Sequence, residues 1–218
     1  LQRLVGLISR DMASFDPKVL PQVTDEDFKE CIGMLPEAWQ NHIGQVLFTP
    51  AAIKARVKQM AAQISEDYKD KGKVLLIGLL NGAFVFVADI VRELKIAYNI
   101  DFMVLSSYGS STTSSGSVKC KKDVSIDPAG RHVVILEDLI DTGNTLAWLT
   151  EHLKSKKCAS VKIAVLLDKL ARRTADVKMD YVGWVCPDEF VVGYGMDYDE
   201  TYRVLPFVGV LKPEVYQK

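Results

Sequence analysis

Residues 133–146 read VVILEDLIDTGNTL. An apolar run, Val133 to Leu136, gives way to two adjacent acids, Glu137 and Asp138. A third acid, Asp141, follows after two apolar residues, and Thr142, Gly143, Asn144 and Thr145 come directly after it. Neighbouring carboxylates accept hydrogen bonds from neighbouring hydroxyls, so Glu137 and Asp138 suit a diol such as that of a ribose. Amide N–H groups, hydroxyls and a glycine at the start of a helix suit a phosphate. The segment therefore carries the parts needed to hold a phosphorylated sugar. Asp141, beside the phosphate cradle, is placed to meet a proton on the other side of that sugar. TGNT alone would serve equally as an ordinary strand-to-helix turn, and the Walker spacing GxxxxGK[ST] is absent. The acids weigh against the plain turn, because they stand directly after an apolar run and directly before an anion site.

Such a turn has to sit at the end of a buried strand, and the flanking sequence supplies the elements. Thr49 is a good N-cap with Pro50 behind it. Ile53, Val57, Met60 and Ile64 then recur on one helical face, and DKGK ends the helix near Lys69. Val74 to Leu80 is a continuous apolar run closed by Asn81-Gly82, which suits a strand buried on both faces. AFVFVADIVREL reads as a helix, IDFMVLSSYG as a strand, VVILED as a strand, TLAWLTEHLKS as a helix and VKIAVLLDK as a strand. Strands alternating with helices predict an open, mostly parallel α/β sheet. After Lys169 the segments YVGWVC, EFVVGYG and LPFVGVL are short, β-rich and close together. They predict a small sheet or flap beside the main one. Residues 1–45 carry no clear period and are interrupted by Pro17, Pro21 and Pro36, so they read as an extension with short helical pieces, one at 24–34.

The bulk properties exclude several classes. The 218 residues are 48% hydrophobic and 25% charged, ordinary for a globular chain, with a formal net charge of −1 that gives no electrostatic footprint for nucleic acid. No apolar run approaches the roughly 20 residues needed to cross a bilayer. Cys31, Cys120, Cys158 and Cys186 are scattered without a CxxC pair, and His42, His132 and His152 have no ligand spacing. The cysteines read as reduced, mostly buried thiols, which predicts a cytoplasmic protein. The opening LQRLVGLISR has two arginines and no acid. It has the composition of an organelle transit remnant, but an ordinary N-terminal helix fits it better.

The string ILEDLIDTGNTL resembles the phosphoribosyl-pyrophosphate (PRPP) signature of the type I phosphoribosyltransferases. Residues 46–218 are similar to the hypoxanthine-guanine branch of that family, above all its bacterial and plant members. Supporting strings, in the family's order, are IGLLNGAFVF, LSSYGSSTTSSGSVK, LLDK, PDEFVVGYGMDYDETYR and FVGVLKP. The resemblance implies the type I phosphoribosyltransferase fold, with residues 1–45 as an extension and 169–218 contributing a hood over the purine. It also implies that the chain moves a 5-phosphoribosyl group from PRPP to hypoxanthine or guanine, giving IMP or GMP and pyrophosphate.

Carried over motif by motif, the resemblance gives each candidate a role. Glu137 and Asp138 would hold the ribose diol, Asp141 would exchange a proton with nitrogen 7 of the purine, and Thr142, Gly143, Asn144 and Thr145 would wrap the 5′-phosphate. Leu80, Asn81 and Gly82 would form the pyrophosphate loop, with a cis peptide between the first two. Residues 106–117 would be a lid whose Ser107 and Tyr108 touch pyrophosphate; small polar residues and glycines also predict a flexible loop there. Lys169 would donate to the 6-oxo group, Phe190 would stack on the base and the Val191 backbone would contact its edge. Asp197, with Glu137 and Asp138, would coordinate Mg2+, and Arg203 would clamp pyrophosphate with its planar fork. Homodimers or homotetramers are implied, with PRPP and a 6-oxopurine as the only partners. This chain departs from some relatives in having Asn81 and Asn144 where they carry lysine, Leu170 where proline is common and Trp184 where phenylalanine is common.

Two other readings stay open at this level. One is a PRPP-sensing regulator that binds nucleic acid on the same fold, which the near-neutral charge disfavours. The other is a neighbouring activity with xanthine or a pyrimidine as the base; the Lys169 and Phe190 pair favours an oxopurine.

Overall fold

The computed structural model describes residues 15–107 and 118–217, without the side chain of Ser107. The opening LQRLVGLISR, Tyr108 and nearly all of the expected lid lie outside the described residues.

Ahead of the main fold, Thr24 caps α1 (Asp25–Gly33) in a capping box with Asp27, inside the piece expected at 24–34. A short helix, α2 (Glu37–Gln40), and a strand, β1 (Ile43–Phe48), follow. Thr49 then caps α3 (Pro50–Tyr68) by accepting a hydrogen bond from the Ala52 N–H at 3.2 Å. The stripe Ile53, Val57, Met60 and Ile64 is buried, as its spacing predicts.

The main sheet contains β2 (Val74–Leu80), β3 (Tyr98–Ser107), β4 (Val118–Lys122), β5 (His132–Ile140), β6 (Ser160–Asp168) and β7 (Tyr181–Val185). Its spatial order is β4-β3-β2-β5-β6-β7, parallel throughout except for the antiparallel edge strand β4. The connecting helices α4 (Phe84–Glu93) and α5 (Asn144–Ser155) complete an open α/β sheet. Leu76 of β2 packs into the core shared with α3 and α4, whereas Leu75, Ile77 and Leu79 pack into a second core with Leu146, Leu149 and Leu153 of α5. Successive side chains of a strand face opposite sides, so a sheet covered on both faces demands the unbroken apolar run seen in the sequence.

A second, antiparallel sheet has the order β1-β9-β8, with β8 at Val191–Val192 and β9 at Val208–Leu211. A last short helix, α6 (Pro213–Tyr216), follows. Two expectations need correction. YVGWV is not part of the small sheet: as β7 it pairs in parallel with β6 at the edge of the main sheet. The connection through residues 169–180 is just long enough for a parallel crossover, although its only helical piece is one 3-10 turn at Leu170–Arg172. Gly183 permits the close approach, because a Cβ there would overlap the carbonyl oxygen of Leu166. The small sheet also takes β1 from the region read as patternless and astride the boundary at 45, so the hood is not built from residues 169–218 alone. The alternation in β1 is broken, with two exposed residues between buried ones and irregular register to β9. The N-terminal segment covers the outer edge of β7, where the Val185 N–H donates to the Pro17 carbonyl at 2.7 Å. Next to it, the buried Arg56 guanidinium lies 3.5 Å from the centroid of the Phe15 ring.

Candidate active site

The sheet order sets β2, β5 and β6 side by side, so their carboxyl ends share one edge. Ligands of open α/β sheets bind in the crevice outside these ends. Asn81 follows β2, Asp138 lies in the last turn of pleat of β5 and Lys169 follows β6. A cavity of about 390 Å³ opens there. Asn81, Gly82, Asp138 and Lys169 line it from the main sheet, and Phe190, Val191, Asp197 and Arg203 line it from the hood. Motifs more than a hundred residues apart in the chain thus meet around one space. Leu139 and Met196 also line it; as single apolar residues they carried no signal in the sequence.

β5 runs two residues beyond Asp138, so the acid pair is within the strand and not after it. The two acids are not equally placed: Asp138 and the following Leu139 line the cavity, and Glu137 does not. Asp138 is 8% exposed. Burial pushes its carboxyl up to about 6; the N–H groups of Leu139 and Asp138 itself and the charge of Arg203 pull the other way, and Asp197 adds to the rise. Burial, with the Asp138 charge beside it, also raises Glu137 well above the ordinary carboxylate range.

The peptide between Leu80 and Asn81 is cis, as the resemblance implies. Leu80 ends β2 and does not line the cavity, while Asn81 and Gly82 do. Gly82 lies flush against the Asp138 carboxylate, which a Cβ at that position would overlap. Gly195, at φ +105°, is pressed in the same way against the Gly82 carbonyl from the hood side. These two contacts lock the loop after β2 between the acid and the hood.

On the hood, the Arg203 guanidinium is held 2.9 Å from Asp197 and from Glu200, and it donates to the Gly195 carbonyl at 2.9 Å. Lys169 is buried, and its ammonium donates to the Glu189 carbonyl at 2.6 Å. Phe190 is partly exposed to the cavity and is backed by Tyr216, with ring centroids 4.6 Å apart and planes at 21°, and by the edge of Tyr198. Val191 is buried in β8.

The turn after β5 does not line the cavity but continues directly from it. Gly143 is the N-cap of α5 at φ +86°, a conformation that glycine adopts without steric cost. It has no side chain to cap the helix, and the Asn144 N–H reaches only the Thr142 hydroxyl, at 3.5 Å. Thr142, Asn144 and Thr145 therefore surround a helix start whose N–H groups are open to an anion. Asp141 is paired with Arg172, Nε to Oδ1 3.2 Å, an arginine that sequence reasoning passed over. Ser107 ends β3, and its side chain and Tyr108 fall outside the described residues.

Comparisons with known proteins show the family to which the chain belongs. Residues 45–199 match the family model described as the phosphoribosyl transferase domain, and the chain belongs to that family. Among its relatives, it is most informatively compared with the hypoxanthine-guanine branch. It is 47% identical over 178 residues to the hypoxanthine-guanine phosphoribosyltransferase of Bacillus subtilis, across 82% of this chain and 98% of the relative. It is 47% identical over 169 residues to the hypoxanthine phosphoribosyltransferase of Salmonella typhimurium, across 77% and 95% of the two chains. The crystal structure of a hypoxanthine phosphoribosyltransferase from Staphylococcus aureus superimposes with a TM-score of 0.81 at 42% identity, covering 84% of this chain and all of that one.

Proposed function

We propose that this chain transfers the 5-phosphoribosyl group of PRPP to hypoxanthine or guanine, forming IMP or GMP and releasing pyrophosphate. One observation carries the reading. A single cavity joins a base-sized side, made by Lys169, Phe190 and Val191, to a polar side made by Asn81, Gly82, Asp138, Asp197 and Arg203. An oxopurine fits the first by stacking on Phe190 while its 6-oxo group accepts from Lys169. A phosphorylated sugar fits the second, with its ribose hydroxyls on Asp138 and its 5′-phosphate on the turn Thr142 to Thr145 that continues from the cavity.

Positive charge develops at the anomeric carbon as pyrophosphate leaves. Arg203 and the amides of Asn81 and Gly82 stand where the leaving oxygens gather negative charge, and such prearranged donors are usually the largest part of rate enhancement. Asp141 takes the proton from nitrogen 7 as the new bond forms at nitrogen 9. The donor set suits Mg2+: Asp138 and Asp197 put hard carboxylate oxygens on the same cavity, and the Asp197 charge adds to the cost of ionising the buried Asp138, a deficit of positive charge that a cation offsets. When bound there with substrate oxygens, it would neutralise the leaving pyrophosphate. We assign the chain a dimeric or tetrameric state, to be read from its mass in solution. Among the described residues no helix is long and apolar enough to cross a membrane.

The test incubates the protein with PRPP, Mg2+ and hypoxanthine, guanine, xanthine, adenine or uracil in turn, and separates the nucleotides. IMP and GMP are expected. Formation of XMP or UMP in preference would replace the proposed substrate, and no nucleotide from any base would end the proposal. Asp141→Asn should lower turnover about 10²–10⁴-fold with little change in PRPP affinity; parent-like turnover would remove Asp141 from its role.

A further inference from the structure

We propose that Arg172 and Arg173 form a positioning clamp on Asp141, which rests on the reading of Asp141 as the general base. The two arginines take hold of that residue at opposite ends. Arg173 holds the backbone: its Nε donates to the Asp141 carbonyl at 3.2 Å. Its guanidinium is nearly enclosed and is anchored by an ion pair with the buried Asp168 at the end of β6. The following residues extend the grip, since the N–H groups of Thr174 and Ala175 both donate to the Thr142 carbonyl at 3.0 Å. Gly143 fits against the Arg173 stem, where a Cβ would stand 2.9 Å from Cδ.

Arg172 holds the side chain. Its Nε is 3.2 Å from Oδ1 of Asp141, and its Nη1 is 3.8 Å from Oδ1 of Asp188. Asp188 precedes Glu189, whose carbonyl accepts from Lys169, and Phe190, so Arg172 ties the carboxylate to the segment expected to carry the purine. Oδ1 of Asp141 is enclosed, yet no hydrogen bond of good geometry reaches it. Charge from Arg172 holds that oxygen in place, and the side chain, 41% exposed, keeps its other oxygen, Oδ2, for the proton of an arriving substrate. A carboxylate on a turn would otherwise sample several rotamers, and only one of them points at the base. The clamp lets binding energy go into the reaction instead of into ordering the acid.

The experiment is a double-mutant cycle with steady-state kinetics. Arg172 and Asp188 are about half exposed, so their variants should fold. Arg172→Ala should lower kcat about three- to fivefold, the scale of one partly exposed ion pair, and leave the KM for PRPP unchanged. Arg172→Lys should recover part of that loss, and Asp188→Asn should lower kcat in the same direction by less. In an Asp141→Asn background, Arg172→Ala should cost nothing further, because the clamp then has nothing to orient. A kcat for Arg172→Ala within about twofold of the parent, or an equal loss in both backgrounds, would overturn the clamp. The two proposals fail separately. Parent-like turnover of Asp141→Asn alone removes the base and the clamp with it; a large loss there with none at Arg172 removes only the clamp.

Discussion

Replacing Asp138 by asparagine should make the unliganded protein more stable while abolishing its activity. The carboxyl is buried, and its pKa is raised from the ordinary 3.8 to about 6. A rise of that size corresponds to about 3 kcal/mol at 1.36 kcal/mol for each tenfold change in proton affinity. The sign follows from proton counting. Between pH 3.8 and 6 the folded chain binds a proton that the unfolded chain has already released, so stability falls as pH rises through that window. Above pH 7 the parent carries the whole penalty; below pH 4 it carries none. Asparagine has no charge to desolvate, so Asp138→Asn should show a stability gain that grows from near zero at pH 4 to about 3 kcal/mol at pH 8. Glu137 adds to the gain, because the Asp138 charge is one of the two causes that raise it. For a chain of this length that is a Tm increase of about 6–12 °C at pH 8. The assay is thermal unfolding of parent and variant from pH 4 to pH 8, without Mg2+ or PRPP, either of which would favour the ionised acid. A variant no more stable than the parent at pH 8, or one whose gain is the same at pH 5 and pH 8, would refute the reasoning.

Two further outcomes follow from the contacts around the cavity. Lys169→Ala should raise the KM for hypoxanthine about 10–100-fold, the worth of one hydrogen bond from a charged donor, and should narrow the preference for hypoxanthine over adenine; equal kinetics with both bases in the parent would remove Lys169 from that role. Gly195→Ala would set a Cβ into the Gly82 carbonyl at φ +105°, so it should destabilise the fold by about 2 kcal/mol or more, read as a lower Tm, and raise the KM for PRPP. A parent-like Tm and KM would show that the hood does not lock the loop after β2.

The frame of the molecule was legible where one rule governed a whole segment. The buried stripe of α3 and the continuous apolar runs of β2 and β5 have one solution each, because a face of that length must be covered. β1 and β7 were misread for different reasons. β1 pairs with β9 across irregular register, so its alternation is broken before it can be seen. β7 looks like its neighbours in sequence, and only the backbone contact at Gly183 tells which sheet it joins. The site divides along the same line. Asn81, Asp138 and Lys169 each stand at the end of an apolar run, but the resemblance to the family is what marked Asn81 and Lys169, and strand order brings those ends together. Arg172 and Arg173 could not be foreseen, since paired arginines in a loop look like solvated surface until the turn they hold is folded against them. Glu137, which the sequence reading pairs with Asp138, does not line the cavity that Asp138 and Leu139 line.

The charges around the cavity also say how the substrate must be received. Arg203 is already engaged by Asp197, Glu200 and the Gly195 carbonyl, and Lys169 by the Glu189 carbonyl. Asn81 lines the cavity, and Asn144 follows the N-cap of α5, where some relatives carry lysine. A polyanion entering such a site meets two cations that have partners and two carboxylates, Asp138 and Asp197, that do not welcome it. Favourable binding then needs either release of Arg203 from its acids or positive charge that arrives with the substrate. The second route removes the repulsion and the Asp138 penalty together, since a cation on that carboxylate stabilises its ionised form. The same acid that weakens the empty fold would then favour a diphosphate that arrives with its cation over one that arrives bare, because only the first relieves the cost of ionising Asp138 in its buried site.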